Sequence, residues 1–158
     1  LIGVPWRLAF ELQKRGWILR SDIIWAKLNP MPESCTDRPT MSHEYLFLFA
    51  KNQKYYYDHE SIMEQTIGTE YAKRNKRDVW NIKVASYPEA HCATFPMELI
   101  TPCIKAGSPE GGLVLDPFMG SGTVAQAAKQ LSRSYTGCEL NPDYYKIINN
   151  RLKQQELF

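Results

Sequence analysis

Eleven consecutive residues, 113–123 with the sequence LVLDPFMGSGT, restrict the possible folds of this chain more than any other segment. The three apolar residues predict a short buried strand. Asp116 follows at its carboxyl end, where open α/β sheets bind their ligands. A Gly-Ser-Gly turn then lets backbone N–H groups approach a ligand closely, because glycine has no Cβ. The residues from Val124 have helical composition. The run predicts a site for a nucleotide-type cofactor, with an ordinary tight turn as the alternative, since Gly-x-Gly alone is weak evidence.

A second acidic residue supports the cofactor interpretation. Residues 134–139 predict another strand, and Glu139 lies 23 positions after Asp116. An acid at about this distance from a glycine-rich turn can accept hydrogen bonds from ribose hydroxyls. Asn141 and Pro142 then predict the start of a helix that reaches about Leu152. The full three-glycine spacing is missing, so a nucleoside ligand is favoured over a pyrophosphate one.

Two segments, DPFMGSGT at 116–123 and GCELNPDY at 137–144, together resemble the S-adenosylmethionine site of the DNA amino-methyltransferases, which methylate N4 of cytosine or N6 of adenine. Similarity to the same family extends over residues 5–10, 20–27, 29–34, 37–40 and 42–51, so the resemblance covers nearly the whole chain apart from a variable stretch at 59–76. The motif order resembles the permuted beta group. The resemblance implies an α/β, Rossmann-like S-adenosylmethionine-dependent methyltransferase fold. It further implies one partial domain over 1–158, with a short target-recognition region at 52–89.

The resemblance also implies the residues of the cofactor site. These are His91, Ala93, Thr94, Phe95, Pro96, Asp116, Pro117, Phe118, Gly120, Ser121, Gly122, Thr123, Glu139, Leu140 and Asn141. In this assignment Asp116 lies near the amino or sugar groups of the cofactor, Glu139 holds the ribose, and Leu140 borders the adenine. Pro96 predicts a helix start whose N–H groups could hold a carboxylate. The alternative is an ordinary helix start capped by Thr94, and Phe95 stands where many relatives carry Lys.

The catalytic signature of the family is missing from this sequence. It is Asp, Asn or Ser followed by Pro-Pro and an aromatic residue, and this chain contains no two adjacent prolines. In the permuted order the signature would precede the helix at Pro5 and follow a central strand. We therefore expect the chain to be the C-terminal part of a longer protein, with an incomplete fold, no assignable catalytic residue and no activity alone. Unpaired strand edges predict that the segment alone is unstable, re-pairs its sheet or self-associates as a homodimer, unless it pairs with a complementary N-terminal segment.

Basic residues predict contact with double-stranded DNA. A cluster at 73–77 could neutralise phosphates, and the proline-rich loop at 29–42 is long enough to suspect a function. The candidates are Lys27, Asn29, Ser34, Arg38, Lys73, Arg74, Lys76 and Arg77. The plain alternatives are a solvated loop for the cluster and a stiff connector for the loop.

Composition limits the remaining possibilities. The chain has 158 residues, 44% of them hydrophobic, which is enough for one core, and its net charge of +2 does not by itself indicate a nucleic-acid partner. Four cysteines without C-x-x-C spacing predict free thiols in a reducing cytoplasm and no metal site. No apolar run approaches ~18 residues, so no membrane span is expected. The expected protein is a bacterial or phage DNA methyltransferase that works in restriction–modification or alone. The alternatives are a catalytically silent S-adenosylmethionine- or DNA-binding subunit, and a methyltransferase that acts on RNA or a small molecule.

Hydrophobic periodicity and turn residues predict the other elements. They are a helix at 5–15, a strand at 17–27, a buried strand at 44–50, strand-like pieces at 54–58 and 79–82, a helix at 96–105 and a turn at 107–112.

Overall fold

The computed structural model describes residues 1–68, 72–84 and 94–154. Within these ranges the helices are α1 (Val4–Lys14), α2 (Met97–Gly107), α3 (Thr123–Gln130) and α4 (Pro142–Gln154), and the strands are β1 (Ile18–Lys27), β2 (His43–Ala50), β3 (Glu64–Gln65), β4 (Lys73–Arg74), β5 (Val79–Ile82), β6 (Leu113–Asp116) and β7 (Ser134–Gly137). Two compact units emerge, one of Leu1–Tyr55 with Lys76–Val84, the other of Tyr56–Asn75 with 94–154. None of the described helices is long and apolar enough to cross a membrane.

The first unit is a three-stranded sheet in the order β2-β1-β5, with α1 packed on it. β1 runs antiparallel to β2 and parallel to β5. Trp25 of β1 is buried, and its indole N–H donates to the carbonyl of Ile82 at 2.9 Å. Trp6 of α1 packs edge-on against Tyr45 and Phe47 of β2, with ring centroids 5.7 and 5.0 Å apart. Aromatic side chains therefore hold the helix to the sheet.

Most of the elements predicted for this unit are confirmed within one or two residues. The helix at 5–15, the strands at 17–27 and 79–82 and the irregular loop at 29–42 are all present. The prediction of a buried strand at 44–50 was only partly right, because β2 lies at the edge of the described sheet and only Ala50 is buried.

The strand-like piece predicted at 54–58 was wrong. Tyr55, Tyr56 and Tyr57 have β propensity but no strand beside them among the described residues, and their side chains are exposed. The segment ends at Asp58, whose backbone N–H donates to the carbonyl of Ala106 and whose carboxylate accepts from the N–H of Ser61. One hydrogen bond to α2 and one local turn bond at Asp58 therefore follow the tyrosines where the strand was expected.

The second unit contains a parallel pair of strands, β6 and β7, connected by α3. Ile104, Val124, Ala127 and Ala128 form a core between α2 and α3, against which Val114 of β6 packs. Ala125 forms a second cluster with Ile148 and Leu152, which packs α4 against α3. Small alanines on α3 let its neighbours approach closely.

Three expectations for the second unit need correction. Leu113 and Leu115 were predicted to be buried but are 65% and 64% exposed, because in the described part of the chain β6 pairs with β7 alone and only the face bearing Val114 is covered. β7 ends at Gly137 rather than at residue 139, so Glu139 lies in the loop that follows. α2 begins after Pro96 without a side-chain cap, so Thr94 does not cap it. The helix ends at Gly107 rather than at about 105, so it includes the first residue of the turn predicted at 107–112.

Candidate cofactor site

The glycine turn lies between the carboxyl end of β6 and the start of α3. Asp116 ends the strand, and its carboxylate accepts a hydrogen bond at 3.0 Å from the backbone N–H of Phe118. Gly120 and Gly122 both have left-handed backbone angles, with φ of 51° and 81°. Only glycine adopts these angles at little cost, and a Cβ on Gly122 would lie 3.1 Å from the side chain of Ile148. The turn therefore requires glycine both for its backbone angles and for its contact with α4.

Glu139 connects this turn to the loop after β7. One carboxylate oxygen accepts from the N–H of Gly120 at 2.7 Å, and the other accepts from the N–H of Asn141 at 2.8 Å. The backbone of Met119 also donates to the carbonyl of Cys138 at 2.9 Å. These bonds bring the two acids predicted from the sequence to the same end of the parallel pair, as expected for the carboxyl ends of adjacent strands.

The same hydrogen bonds determine the charge of Glu139. The backbone N–H of Asn141, with smaller help from those of Gly120 and Leu140, lowers the pKa of the Glu139 carboxyl below its usual 4.5, and this outweighs the opposing effect of partial burial. Hydrogen bonds to a carboxylate favour its ionised form. Glu139 is therefore an anion at neutral pH.

An open cavity of about 280 Å³ lies beside Glu139. Its lining residues are Pro117, Phe118, Cys138, Glu139 and Leu140. Phe118 and Leu140 are 87% and 99% exposed, so two large apolar side chains stand in solvent next to an anionic acceptor. Apolar walls with a few placed polar groups are typical of small-molecule sites, and this pair suits a flat ring attached to a hydroxyl-bearing sugar.

The remaining predicted cofactor residues lie around this centre in different ways. Ser121 and Thr123 are buried, and their hydroxyls accept hydrogen bonds from Arg151. Asn141 caps α4, because its side-chain oxygen accepts from the N–H of Asp143 at 3.0 Å. Residues 94–96 precede α2 and are not among the described residues that line the cavity. Two further predicted residues, His91 and Ala93, lie outside the described part of the chain.

Two residues that the sequence did not single out matter at this site. Gly137 lies opposite Asp116 in the β6–β7 pair, and a Cβ there would lie 2.5 Å from the carbonyl oxygen of Asp116. A glycine inside a strand often marks such a close approach, so this signal was available. Arg151 reaches from α4 to the glycine turn. Arg151 lies in the last turn of α4, where a basic side chain interacts favourably with the helix dipole whatever else it contacts, so no local pattern indicated its partner.

The candidates for DNA contact in the first unit have partners within the protein. Asn29 makes two hydrogen bonds to the backbone of Val84, accepting at 2.7 Å and donating at 3.3 Å. Lys27 forms an ion pair with Glu44, and Arg38 forms one with Glu33 at 2.6 Å. Asn29 thus stabilises the start of its own loop. Ser34 lies exposed in that loop.

The basic cluster at 73–77 is divided between the two units. Lys73 and Arg74 belong to the second unit, where Arg74 pairs with Glu64 at 3.0 Å. Lys76 and Arg77 belong to the first, where the Lys76 ammonium lies 4.9 Å from the ring centroid of Trp80. Lys73 and Arg77 are exposed, and Arg77 accepts the indole N–H of Trp80 through its backbone carbonyl.

The described cysteines and possible metal ligands bear on the sequence prediction of free thiols and no metal site. Cys35, Cys103 and Cys138 form no disulfide there. In the same ranges no group of three or more His, Cys, Asp or Glu side chains is arranged to hold a metal ion.

Comparison with known proteins supports the interpretation of these motifs. A family model described as DNA methylase, for the N6 and N4 enzymes, matches residues 4–150. The chain is 54% identical to the type II methyltransferase M.Cfr9I of Citrobacter freundii over 156 residues, which is 99% of this chain and 51% of that protein. The chain thus spans about half the length of the curated relatives it matches.

Solved structures share the fold. A complex of M1.HpyAVI with SAM superposes with a TM-score of 0.73 at 26% identity, covering 96% of this chain and 71% of that one. The PvuII DNA methyltransferase, described as cytosine-N4-specific, has a TM-score of 0.79 at 20% identity and covers 93% of this chain and 56% of that one. The predicted mixed α/β methyltransferase fold is confirmed. The glycine turn, the two acids and the match over residues 4–150 lead to one conclusion: the chain belongs to the N6/N4 DNA methylase family.

Proposed function

We propose that this chain carries the S-adenosylmethionine site of a site-specific DNA methyltransferase that methylates an exocyclic amino group, N4 of cytosine or N6 of adenine. The observation that carries the proposal is the ionised Glu139 carboxylate, held by the N–H groups of Gly120 and Asn141 beside an apolar cavity. Membership of the family supports it, as does the structural similarity to a protein solved in complex with SAM.

The Glu139 carboxylate has capacity left for a ligand. A carboxylate offers about four lone-pair positions on its two oxygens; the N–H groups of Gly120 and Asn141 use one on each oxygen, and that of Leu140 contributes less. The remaining capacity would accept ribose hydroxyls. Phe118 and Leu140 would contact the faces or edge of the adenine, which would remove them from water.

The chemistry divides between the cofactor and the protein. S-adenosylmethionine would supply the methyl group: the bond to the attacking amino nitrogen would form as the bond to the sulfonium sulfur breaks, which leaves a neutral thioether, and no covalent enzyme intermediate is needed. Residues of this chain would bind and orient the donor, which is how proteins accelerate direct displacements. The groups that accept the amino proton and stack on an extruded base would belong to the Pro-Pro signature, supplied from outside these 158 residues.

β6 is where a complementary segment or a second copy would attach. In the described residues it has a strand on one side only, and Leu113 and Leu115 are mostly exposed. An apolar strand of a parallel sheet is normally covered on both faces. In this proposal the two units belong to one methyltransferase domain, and the protein acts in the bacterial cytoplasm, where the DNA lies.

Isothermal titration calorimetry tests the cofactor assignment. We expect S-adenosylmethionine and S-adenosylhomocysteine to bind to the protein with similar affinity, because both present the same adenosine to Phe118, Glu139 and Leu140. ATP is expected to bind much more weakly, since its triphosphate would lie near the Glu139 anion. A folded protein that binds neither methionine-derived ligand would contradict the proposal.

Methyl-transfer assays test the substrate. With labelled S-adenosylmethionine, the complete protein is expected to methylate duplex DNA and not RNA of the same sequence. A protein that binds cofactor and DNA but transfers no methyl group would instead be a silent partner subunit.

Salt-dependent binding tests the proposed DNA surface, which includes the region 52–89. Replacing Lys73 or Lys76 with glutamine is expected to weaken duplex binding and to lower the slope of log K against log salt by about 0.9 for each lost phosphate contact. Fluorescence anisotropy at several salt concentrations measures both. Lys146→Gln is the control, because Lys146 is exposed on α4 beside Asp143. If the slope of log K against log salt is the same for all three variants, the basic cluster does not contact DNA phosphates.

A further inference from the structure

The guanidinium of Arg151 forms a compact set of hydrogen bonds with the glycine turn. One terminal nitrogen, Nη1, donates to the carbonyl and hydroxyl oxygens of Ser121, both at 2.8 Å, and lies 3.3 Å from the hydroxyl of Thr123. The other, Nη2, donates to the side-chain oxygen of Gln126 at 2.6 Å. Ser121 lies directly between the two left-handed glycines of the turn. Arg151 therefore holds the residue that connects the two glycines of the turn.

The position of the Arg151 guanidinium indicates that its contacts stabilise the glycine turn. Arg151 belongs to α4, but its guanidinium lies at the N-terminal end of α3, where the helix dipole disfavours positive charge. Ser121 and Thr123 are only 3% and 5% exposed, so their polar atoms need partners inside the protein. The guanidinium donates hydrogen bonds to Ser121, Thr123 and Gln126. These bonds provide the buried hydroxyls with partners and hold the guanidinium at a position that the dipole of α3 disfavours.

α4 contacts the cofactor site at both of its ends. At its start, the N–H of Asn141 holds Glu139. One turn before Arg151 on the same helix, Ile148 packs so close to Gly122 that an added Cβ would lie 3.1 Å away. Long side chains on a helix lean toward its N-terminus. The side chain of Arg151 therefore extends toward Ile148 and contacts the same glycine turn. The helix thus links the Glu139 loop to the Gly-Ser-Gly turn.

We propose that Arg151 is a positioning residue for the cofactor site, which acts by fixing the Gly120–Gly122 backbone through Ser121 before any ligand binds. This inference rests on the proposed function, since it assigns the turn to S-adenosylmethionine. Arg151 does not line the cavity, so its effect on a ligand passes through the turn. Two glycines make the turn flexible in the absence of such a restraint, and a preorganised site binds more tightly because less order is lost on binding.

Three variants and a control test this role. Arg151→Gln is expected to weaken S-adenosylmethionine binding by about tenfold or more, the loss typical of a charge-assisted hydrogen-bond set. Arg151→Lys should be intermediate, because a single ammonium reaches the Ser121 oxygens but not Gln126 as well. Gln126→Ala removes only the partner of Nη2 and should weaken binding a few-fold. Lys153→Gln, an exposed neighbour on the same helix, should bind as the parent does.

A second measurement separates positioning from general stability. The amide of Gly122, which donates to Met119, should exchange its hydrogen about tenfold faster in ligand-free Arg151→Gln. Affinity is measured well below each variant's unfolding temperature, so that only folded protein is compared. If Arg151→Gln does not fold, Arg151→Lys and Gln126→Ala decide.

Unchanged affinity and unchanged Gly122 exchange in the folded variants would overturn the proposal. If the parent protein binds no S-adenosylmethionine, the proposed function fails instead, and the exchange measurement still tests whether Arg151 restrains the turn.

Discussion

Replacing Glu139 with alanine is expected to weaken binding of S-adenosylmethionine by about ten- to a hundredfold, the range for loss of hydrogen bonds to a charged group. The substitution removes the proposed ribose acceptor. It also releases the N–H groups of Gly120 and Asn141, so the side-chain connection between the two loops is lost and the backbone bond from Met119 to Cys138 remains. Calorimetry on folded protein measures the change. The matched control is Glu11→Ala, because Glu11 forms exposed ion pairs with Lys14 and Arg15.

Glutamine at the same position separates charge from shape. Glu139→Gln keeps one oxygen acceptor but loses the anion, so its affinity should fall between those of the parent and the alanine variant. If either variant binds S-adenosylmethionine as tightly as the parent does, the assignment of Glu139 to the ribose is wrong.

The pH dependence of binding should follow from the ionisation of Glu139. Its pKa is lowered in the folded protein, first by the backbone N–H of Asn141. The contribution of its anion, to folding and to binding, is therefore fully present above the ordinary value of 4.5 and is lost as the pH falls through the lowered pKa. Affinity measured from pH 8 down to about pH 5 should be unaffected by this group. A decline centred above pH 5 that Glu139→Gln abolishes would contradict this assignment.

Replacing Gly137 with alanine is expected to destabilise the second unit by about 1–3 kcal/mol, the usual cost of overpacking. The added Cβ would lie 2.5 Å from the carbonyl oxygen of Asp116 and 2.6 Å from the sulfur of Met119. The Met119 side chain can move, but the Asp116 carbonyl belongs to β6 and accepts the N–H of Cys138. The clash between the added Cβ and this carbonyl oxygen is therefore relieved only if β6 and β7 move apart. This movement should also weaken cofactor binding.

Urea denaturation compares this variant with Gly107→Ala. Gly107 ends α2 and has no atom within 4 Å of its added Cβ, so its replacement should leave stability nearly unchanged. Equal stability of the two variants would show that the β6–β7 pair tolerates a side chain at 137.

Local sequence patterns were sufficient to locate the glycine turn, the acid after each strand and the helix that follows each loop. These features depend on short-range constraints. Asp116 precedes glycines that alone adopt the left-handed angles at 120 and 122, and Asn141-Pro142 starts α4 because one caps the helix and the other has a suitable φ. The predicted strand at 54–58 failed because three tyrosines specify β propensity but not a partner strand.

The hydrogen-bond partners of several polar side chains are residues distant in sequence. Arg151 and Ser121 are 30 positions apart, and Asn29 and Val84 are 55 apart. A charge pattern could not show that Arg151 contacts the glycine turn or that Asn29 forms hydrogen bonds with the backbone of Val84. Backbone angles and helix starts depend on residues adjacent in the chain, so the sequence pattern alone predicts them. Hydrogen-bond partners arise from packing. The arrangement of α3 and α4 brings Arg151 to Ser121, and the pairing of β1 with β5 brings Asn29 to Val84.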